Sequence, residues 1–486
     1  MPTPPFTIRN LTSTPLNLRK VERFEPHSSV HDNGLQNMTK NFTTLLANAT
    51  TGNDSKPTYP PLTDDAKSFK SRDLEPGELH IAPFKTVATD IPSHIKHPKE
   101  YVRLTFGAEG QMYQLDLPAL KHDSTKLKPL AENPKYDFTA VYLPKHCFLA
   151  LFSSARLNAW MKELKDETPL PALSIPGTHN SATCYTAAPS VRCQAVSPRE
   201  QLKNGVRYFD VRVQIQDPGQ PQKDGLILVH AVFPISLTGN KYLRDLVKEI
   251  RAFLDNNPSE TVIMSMKREG TGSGTDAQLG RILRDHYAGD VHKWFTAPRI
   301  PTLGEARGKI CLIRRFALEE GLKKEWEGKG WCIPAETWAD NTPHAVNPAG
   351  TVCVQDFYEV LETQNIEKKI KYAQEQCERA ACCVTPLGNF NTTGNGERPK
   401  QPFYINFLSA SNFWKVGCWP EKIAKKVNPA MVDFLCRKHH EGEGPGDGST
   451  GIVVCDWVGQ DGDWDLVRCI VGMNARLEMR EKGQRA

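Results

Sequence analysis

Polar and apolar residues alternate with a period near two through the first third of the chain. FTIRNLTS, LNLRKVERF, ELHIAPFKTVATDI, YVRLTF, QMYQLDLPAL and YDFTAVYL all show it. That pattern predicts half-buried strands. It points to a small, antiparallel, sandwich-like β-rich domain over residues 1–152. A polar stretch over residues 27–74, rich in Asn, Ser, Thr, Asp and Pro, interrupts it and reads as a long, partly disordered loop. No catalytic constellation stands out in this domain.

From residue 153 the pattern changes. ARLNAWMKEL places Leu157, Trp160, Met161 and Leu164 on one face of a short amphipathic helix. Short, continuous apolar runs follow: ALSIPGTH, RYFDVRV, LILVHA, TVIMSMK, ICLIRRF, TVCVQDFY, FYINFLSA and GIVVCDWV. Helical stretches separate them, among them KYLRDLVKEIRAFLDNN, TDAQLGRILRDHY, QNIEKKIKYAQEQCERA and NPAMVDFLCRKHH. Continuous apolar strands alternating with helices predict parallel β-structure in an α/β fold. About eight strands fit an irregular (β/α)₈ TIM-type barrel over residues 153–486. Residues 180–205 hold no long helix, so one wall of the barrel is expected to be irregular.

Composition narrows the classes. The chain has 486 residues, 39% hydrophobic and 24% charged, with a net charge of +5. That is ordinary globular usage, without the domain-wide cationic face that would make nucleic acid a partner. No long apolar run predicts a transmembrane helix. The start, MPTPPFTIRNLTS, lacks a basic region followed by an apolar core. A cytoplasmic or peripheral-membrane protein is therefore expected. The 13 cysteines include no C-x-x-C pair, which speaks against a structural zinc site. Glycosylation sequons at Asn10, Asn37, Asn41, Asn48, Asn53 and Asn391 point toward secretion, but such triplets arise easily in polar segments.

The apolar runs end in groups able to do chemistry: His179, Asp210 with Arg212, His230, Lys267, Arg315, Asp356 with Tyr358, Ser409 and Asp456. One charged strand end is usually a solvated edge. So many together, at the barrel face where active sites lie, point to a site. Two imidazoles suit a general base and a general acid near neutral pH. Arg212 supplies a permanent planar cation, the usual partner of a phosphate. Lys267 and Arg315 add charge, and Asp210, Asp356 and Asp456 can orient the histidines, clamp Arg212 or accept hydroxyl bonds. Two histidines and an arginine describe a metal-free phosphodiesterase.

LSIPGTHNSAT, NGVRYFDVRV, LVHAVFP, NPSETVIMSMKRE, RGKICLIRRF, VQDFYEV and GIVVCDWV occur in an order that resembles the X-domain barrel of bacterial-type phosphatidylinositol-specific phospholipases C. A β-rich domain before such a barrel resembles a filamentous-fungal arrangement. The resemblance implies that His179 takes the proton from the inositol 2-hydroxyl while Asp456 fixes its tautomer. Arg212 would bind the phosphate with Asp210 behind it, and His230 would protonate the diacylglycerol oxygen. Lys267, Arg315, Asp356 and Tyr358 would contact the inositol ring, and inositol 1,2-cyclic phosphate and diacylglycerol would be the products. The bacterial motif has Asp where this chain has Asn180, in calcium-dependent relatives a metal ligand. Arg212 and Lys267 stand where those relatives carry acidic ligands, so no metal or other cofactor is expected.

Several picks have plainer readings. Asp456 can be a loop carboxylate, Tyr358 a core aromatic, and one residue of the Arg314–Arg315 pair solvent-facing. His286, His292, His439 and His440 read as exposed, and GEGPGDGSTG over residues 442–451 as a flexible connector. VFPI over residues 232–235, and Phe413, Trp414 and Trp419 in FWKVGCWP, suggest transient contact with a membrane surface. The same aromatics can equally pack beneath their loops. A monomer acting on an inositol phospholipid is the expectation. The rivals are a phosphodiesterase for another lipid or glycosyl-phosphatidylinositol headgroup, and a weakly active lipid-binding protein.

Overall fold

The computed structural model describes residues 4–25, 62, 66–93, 100–118, 122–188, 190–220, 222–385, 401–442, 444 and 446–483. The chain divides into two units, Met1–Ser154 and Ala155–Ala486.

In the first unit the alternating segments form two sheets. One places Thr86–Pro92, Pro5–Asn10, Phe148–Ser153, Phe138–Leu143 and Ser124–Lys126 side by side. The other orders Ser68–Asp73, Leu16–Phe24, Tyr101–Ala108, Gln111–Leu117 and Lys128–Pro129. Phe6, Ile8 and Leu149 of the first sheet join Leu18, Leu104 and Phe106 of the second in one buried apolar cluster. Pairing is not wholly antiparallel as expected, because Pro5–Asn10 runs parallel to Phe148–Ser153. FLALFS was overlooked as a strand because it is almost continuously buried and shows no alternation. Ser68–Asp73 is also a correction. This exposed, polar segment lies within the expected loop, yet the ladder to Leu16–Phe24 makes it a strand. Residues 27–61 and 63–65 of that loop lie outside the described residues. Asn10 is buried, and its amide donates to Thr14 O at 2.8 Å and Ile81 O at 2.9 Å, so this sequon is structural. The sequons at Asn37, Asn41, Asn48, Asn53 and Asn391 lie outside the described residues.

The second unit is α/β. Its sheet orders Trp294–Phe295, Ile310–Arg314, Val262–Arg268, Tyr208–Ile215, Ile175–Thr178, Ile452–Cys455, Phe403–Phe407, Val352–Gln355 and Ala345–Val346. All these neighbours pair in parallel except the last two. Among the described residues no ladder joins Ile333–Pro334, which pairs with Ile310–Arg314, to Ala345–Val346. Asn347 bridges that gap, its side-chain amide donating to Pro334 O at 3.1 Å. Gly177 fits its strand because a Cβ there would stand 2.9 Å from the Tyr208 Cβ.

Helices Leu243–Asn256, Asp276–His286, Asn365–Ala381 and Pro420–Arg437 follow their strands. Thr275 and Gln278 form a capping box that starts the second of them. Pro420–Arg437 begins well before the expected NPAM, with Pro420 in its first turn and Pro429 inside. Three further expectations are corrected. Leu157–Glu163 is a 3₁₀ segment broken at Ala159. Leu226–His230 is antiparallel to Tyr208–Ile215. The Gly-rich connector is packed where it is described: Asp447, Ser449 and Thr450 are buried, and Thr385 N donates to Asp447 Oδ2 at 2.8 Å.

Candidate active site

The register of the antiparallel pair explains how distant residues meet. Ile215 lies opposite Leu226 and Val213 opposite Leu228. The returning strand therefore carries its last residue, His230, back to the level of Asp210 and Arg212. Immediately after the key side chains the backbone leaves the sheet abruptly. Asn180 follows His179 with φ 44°, Ala231 follows His230 with φ 51°, and Trp457 follows Asp456 with φ 53°. Left-handed backbone is unfavourable for residues with a Cβ and persists where surrounding structure holds it. Here it turns the chain away and leaves two imidazoles and a carboxylate on the rim. Gly270 does the same after Glu269, where a Cβ would meet Gln214 Oε1 at 2.1 Å.

The two imidazole rings lie 5.5 Å apart, centroid to centroid, nearly perpendicular at 84°. Asp456 Oδ1 holds Nδ1 of His179 at 2.9 Å, which leaves Nε2 for chemistry. His230 Nδ1 donates to Val191 O at 2.8 Å, so its Nε2 is likewise free of that bond. Asp210 links the base to the cation. Its Oδ2 accepts from Asn180 N at 3.1 Å and from Arg212 Nε at 3.2 Å, and its Oδ1 pairs with Arg315 at 3.4 Å. Arg212 also pairs with Glu269 at 3.0 Å, and Lys267 reaches the same carboxylate at 3.0 Å.

Burial and charge oppose each other at each group. Burial alone would raise the Asp210 carboxyl, but Arg212 and Arg315 hold it well below the usual range. Burial, then His179 and Arg212, push His230 down to about 3, which favours a neutral imidazole. Burial raises Asp456 against the pull of His179, and raises Asp356 against Arg315 and Lys369.

The catalytic picks His179, His230, Arg212, Asp210 and Asp456 are thus joined by ring contact, hydrogen bond or ion pair. Lys267 and Arg315 belong to the same charge network. Asp356 is buried beside it, electrostatically coupled to Arg315 and Arg212. Asn180 is buried, and its amide Nδ2 has no partner. Tyr358 is engaged elsewhere, its hydroxyl donating to Asp340 at 2.9 Å. Trp414 is 90% exposed and Phe413 stacks on Phe233 at 5.8 Å, joining the loop after His230 to the loop after Phe403–Phe407. Trp419 is half-buried and donates from Nε1 to Phe413 O at 3.1 Å, within the same loop. His439 and His440 are buried rather than exposed, and His439 Nδ1 meets Glu378 at 2.9 Å.

Four contributors were missed. Glu269 shares its strand-end face with Lys267 two positions on, a signal that period-two reading could have used. Lys369 sits on the buried stripe of Asn365–Ala381 with Ile366, Ala373 and Gln376, where a lysine is anomalous. Its Nζ donates to Phe357 O at 2.6 Å and Gln355 Oε1 at 3.0 Å. Gln194 Nε2 donates to His179 O at 2.7 Å and Cys455 O at 3.0 Å, and Trp338 lies 3.4 Å under the Arg315 guanidinium. Nothing in local sequence marks either residue.

Two facing imidazoles, one braced by a carboxylate, stand beside a clamped guanidinium at the strand ends of an α/β sheet, a grouping suited to acid–base chemistry on an anionic substrate. Residues 167–316 match the family model "Phosphatidylinositol-specific phospholipase C, X domain". A 1-phosphatidylinositol phosphodiesterase of Listeria monocytogenes is 34% identical over 171 residues, 33% of this chain and 50% of that protein. The chain thus spans about half the length of that relative. A 1-phosphatidylinositol phosphodiesterase of Staphylococcus aureus is 26% identical over 331 residues, covering 65% of this chain and 93% of the relative. The human PI-PLC X domain-containing protein 1 is 23% identical over 355 residues, 65% of this chain and 92% of its own. A crystal structure of the S. aureus phosphatidylinositol-specific phospholipase C superposes with a TM-score of 0.50 at 24% identity, covering 65% of this chain and 97% of that one. The likeness extends the fold assignment to the barrel class of that enzyme.

Proposed function

We propose that the protein cleaves phosphatidylinositol, or a close inositol phospholipid, by metal-free acid–base catalysis. The observation that carries this reading is the pair of imidazoles 5.5 Å apart, with Asp210 accepting both from the backbone N of Asn180, next to His179, and from Arg212. His179, held by Asp456, takes the proton of the inositol 2-hydroxyl through Nε2. The 2-oxygen attacks phosphorus and Arg212 offsets the charge that builds on the phosphoryl oxygens. Burial, His179 and Arg212 favour the neutral form of His230. An anionic phosphodiester beside it favours its charged form, so the bound substrate equips it to protonate the leaving diacylglycerol oxygen. The products are diacylglycerol and inositol 1,2-cyclic phosphate. Lys267, Arg315 and Asp356 contact the ring hydroxyls, and the free amide of Asn180 offers a donor to a substrate oxygen. Trp338, rather than Tyr358, supplies the aromatic surface nearest the charge network.

The protein works as a monomer that meets a bilayer transiently. Trp414, Phe413, Val232, Leu237 and Val416 are exposed on the loops beside His230 and after Phe403–Phe407 and would enter the headgroup layer. We read the first unit as a two-sheet sandwich attached to this barrel.

The test is incubation of the purified protein with phosphatidylinositol vesicles and EDTA, followed by phosphorus NMR. Cyclic inositol phosphate should form, and His179→Ala and His230→Ala should each cut the rate by about 10²–10⁴-fold. No turnover, or turnover only after calcium is added, sinks the reading. Trp414→Ala should lower activity on vesicles and spare a soluble inositol phosphodiester. Equal loss on both substrates removes the membrane role.

A further inference from the structure

Cys193 is fully buried behind the histidines, and its Sγ lies 3.6 Å from Nδ1 of His230. His179, Cys193 and His230 can each offer one ligand atom, with all three within 4.8 Å of one another. With zinc-to-sulfur and zinc-to-nitrogen bonds of about 2.3 and 2.0–2.1 Å, tetrahedral geometry separates adjacent ligand atoms by about 3.5 Å. The thiol–imidazole edge already matches that spacing. The other edges exceed it by at most about 1.3 Å, a distance that small ring rotations span.

The surroundings favour the same reading. His179 Nδ1 is engaged by Asp456, which leaves Nε2 as the nitrogen able to ligate, in the carboxylate–histidine arrangement that orients metal-bound imidazoles. Asp456 Oδ2 is buried without a partner, which adds negative charge behind that ring. Thiolate and imidazole ligands select zinc-class ions over calcium and magnesium, which prefer oxygen.

We propose that His179, Cys193 and His230 bind a thiophilic divalent cation of the zinc class, and that the bound ion inhibits the enzyme by occupying both imidazoles. Inhibition rests on the phospholipase reading above, whereas binding does not. On binding, the Cys193 thiol loses its proton to solvent, while His230 moves its proton from Nδ1 to Nε2 and stays neutral, giving up its bond to Val191 O; no electron is transferred. Water takes the remaining coordination position.

The experiment uses the full chain, stripped with EDTA and freed of chelator, then titrated with Co²⁺ or Zn²⁺. The expected result is a near-ultraviolet thiolate-to-cobalt charge-transfer band that zinc abolishes. Zinc should also inhibit cleavage of phosphatidylinositol vesicles, EDTA should reverse this, and calcium and magnesium should do neither. Cys193→Ala should lose the band and bind zinc about 100-fold more weakly or worse, more than the loss usual for an outer-shell partner. His230→Ala keeps the thiol and should weaken zinc binding comparably, which covers the case of a poorly folded Cys193 variant. A wild-type protein without the band overturns the proposal, as does a Cys193→Ala or His230→Ala variant with unchanged zinc affinity. Zinc bound through Cys193 in a protein that never cleaves the lipid, even in EDTA, supports the metal site and removes the phospholipase reading. Cleavage in EDTA with no response to zinc does the reverse.

Discussion

Arg207 and Arg212 belong to the same strand region, one just before Tyr208–Ile215 and one inside it, yet they do opposite work. Arg207 is fully buried and every donor group ends on protein. Nε reaches Glu260 at 2.9 Å, Nη1 reaches Leu202 O and Val206 O at 2.8 and 2.9 Å, and Nη2 reaches Leu157 O at 3.1 Å and Glu260 at 2.8 Å. Among the described residues Arg212 pairs with the carboxylates of Asp210 and Glu269 alone, and both are shared, with Arg315 and with Lys267. A guanidinium saturated by backbone carbonyls and its own carboxylate fixes a fold. One held by shared carboxylates at the strand ends can trade part of that pairing for a phosphate. The same kind of ion pair is therefore closed by backbone carbonyls at one end of the sheet and shared among carboxylates at the other.

The comparison breaks most visibly at Glu260. Replacing Glu260 with Ala leaves the Arg207 charge buried and unpaired and should cost about 3–5 kcal/mol in urea unfolding. Below the shifted midpoint, the turnover number should stay near that of the wild type. Arg212→Lys inverts the outcome. Charge is kept but the planar fork is lost, and turnover should fall by about 10²–10³-fold. Its urea midpoint should move far less than that of Glu260→Ala. A large stability loss in Arg212→Lys, or a catalytic collapse in folded Glu260→Ala, would erase the distinction.

The smallest effect sharpens it. Lys369 is a buried cation without the near carboxylate that Arg207 has, and burial pushes it down to about 7 from 10.5, against the pull of Asp356 and Asp456. Between those values the unfolded chain binds more protons than the native one, so stability rises with pH. The penalty is complete below about 7 and gone above about 10.5. Lys369→Met removes the site, and its unfolding free energy should climb less steeply from pH 7 to 10. The difference in slope is at most about 1.4 kcal/mol per pH unit. Parallel curves for the two proteins would refute a titrating Lys369.

Much of this was legible from residue order. Runs such as VVCDWV and FDVRV carried their strands and functional residues together because a strand and its terminal side chain are one local unit. The failures share a cause. Leu226–His230 reads like any apolar run, and only its ladder to Tyr208–Ile215 reveals the reversed direction that returns His230 to Arg212. Gln194 sits in a segment without periodicity, and Trp338 in a connection between strands. The Gly-rich residues 446–451 looked flexible because composition cannot see that Asp447 and Thr450 find buried partners in Thr385 and Ser174.

The sequence by itself determined the period-two first unit, the alternating α/β second unit and the residue types able to act on a phosphodiester. Only the tertiary structure decided which arginine is held by shared carboxylates alone, which side chains brace His179, and that a thiol stands beside His230. Local periodicity follows from backbone geometry within a few residues. Proximity of residues distant in sequence depends on strand order, register and the sharp left-handed exits after His179, His230 and Asp456, which the whole packed fold must hold in place.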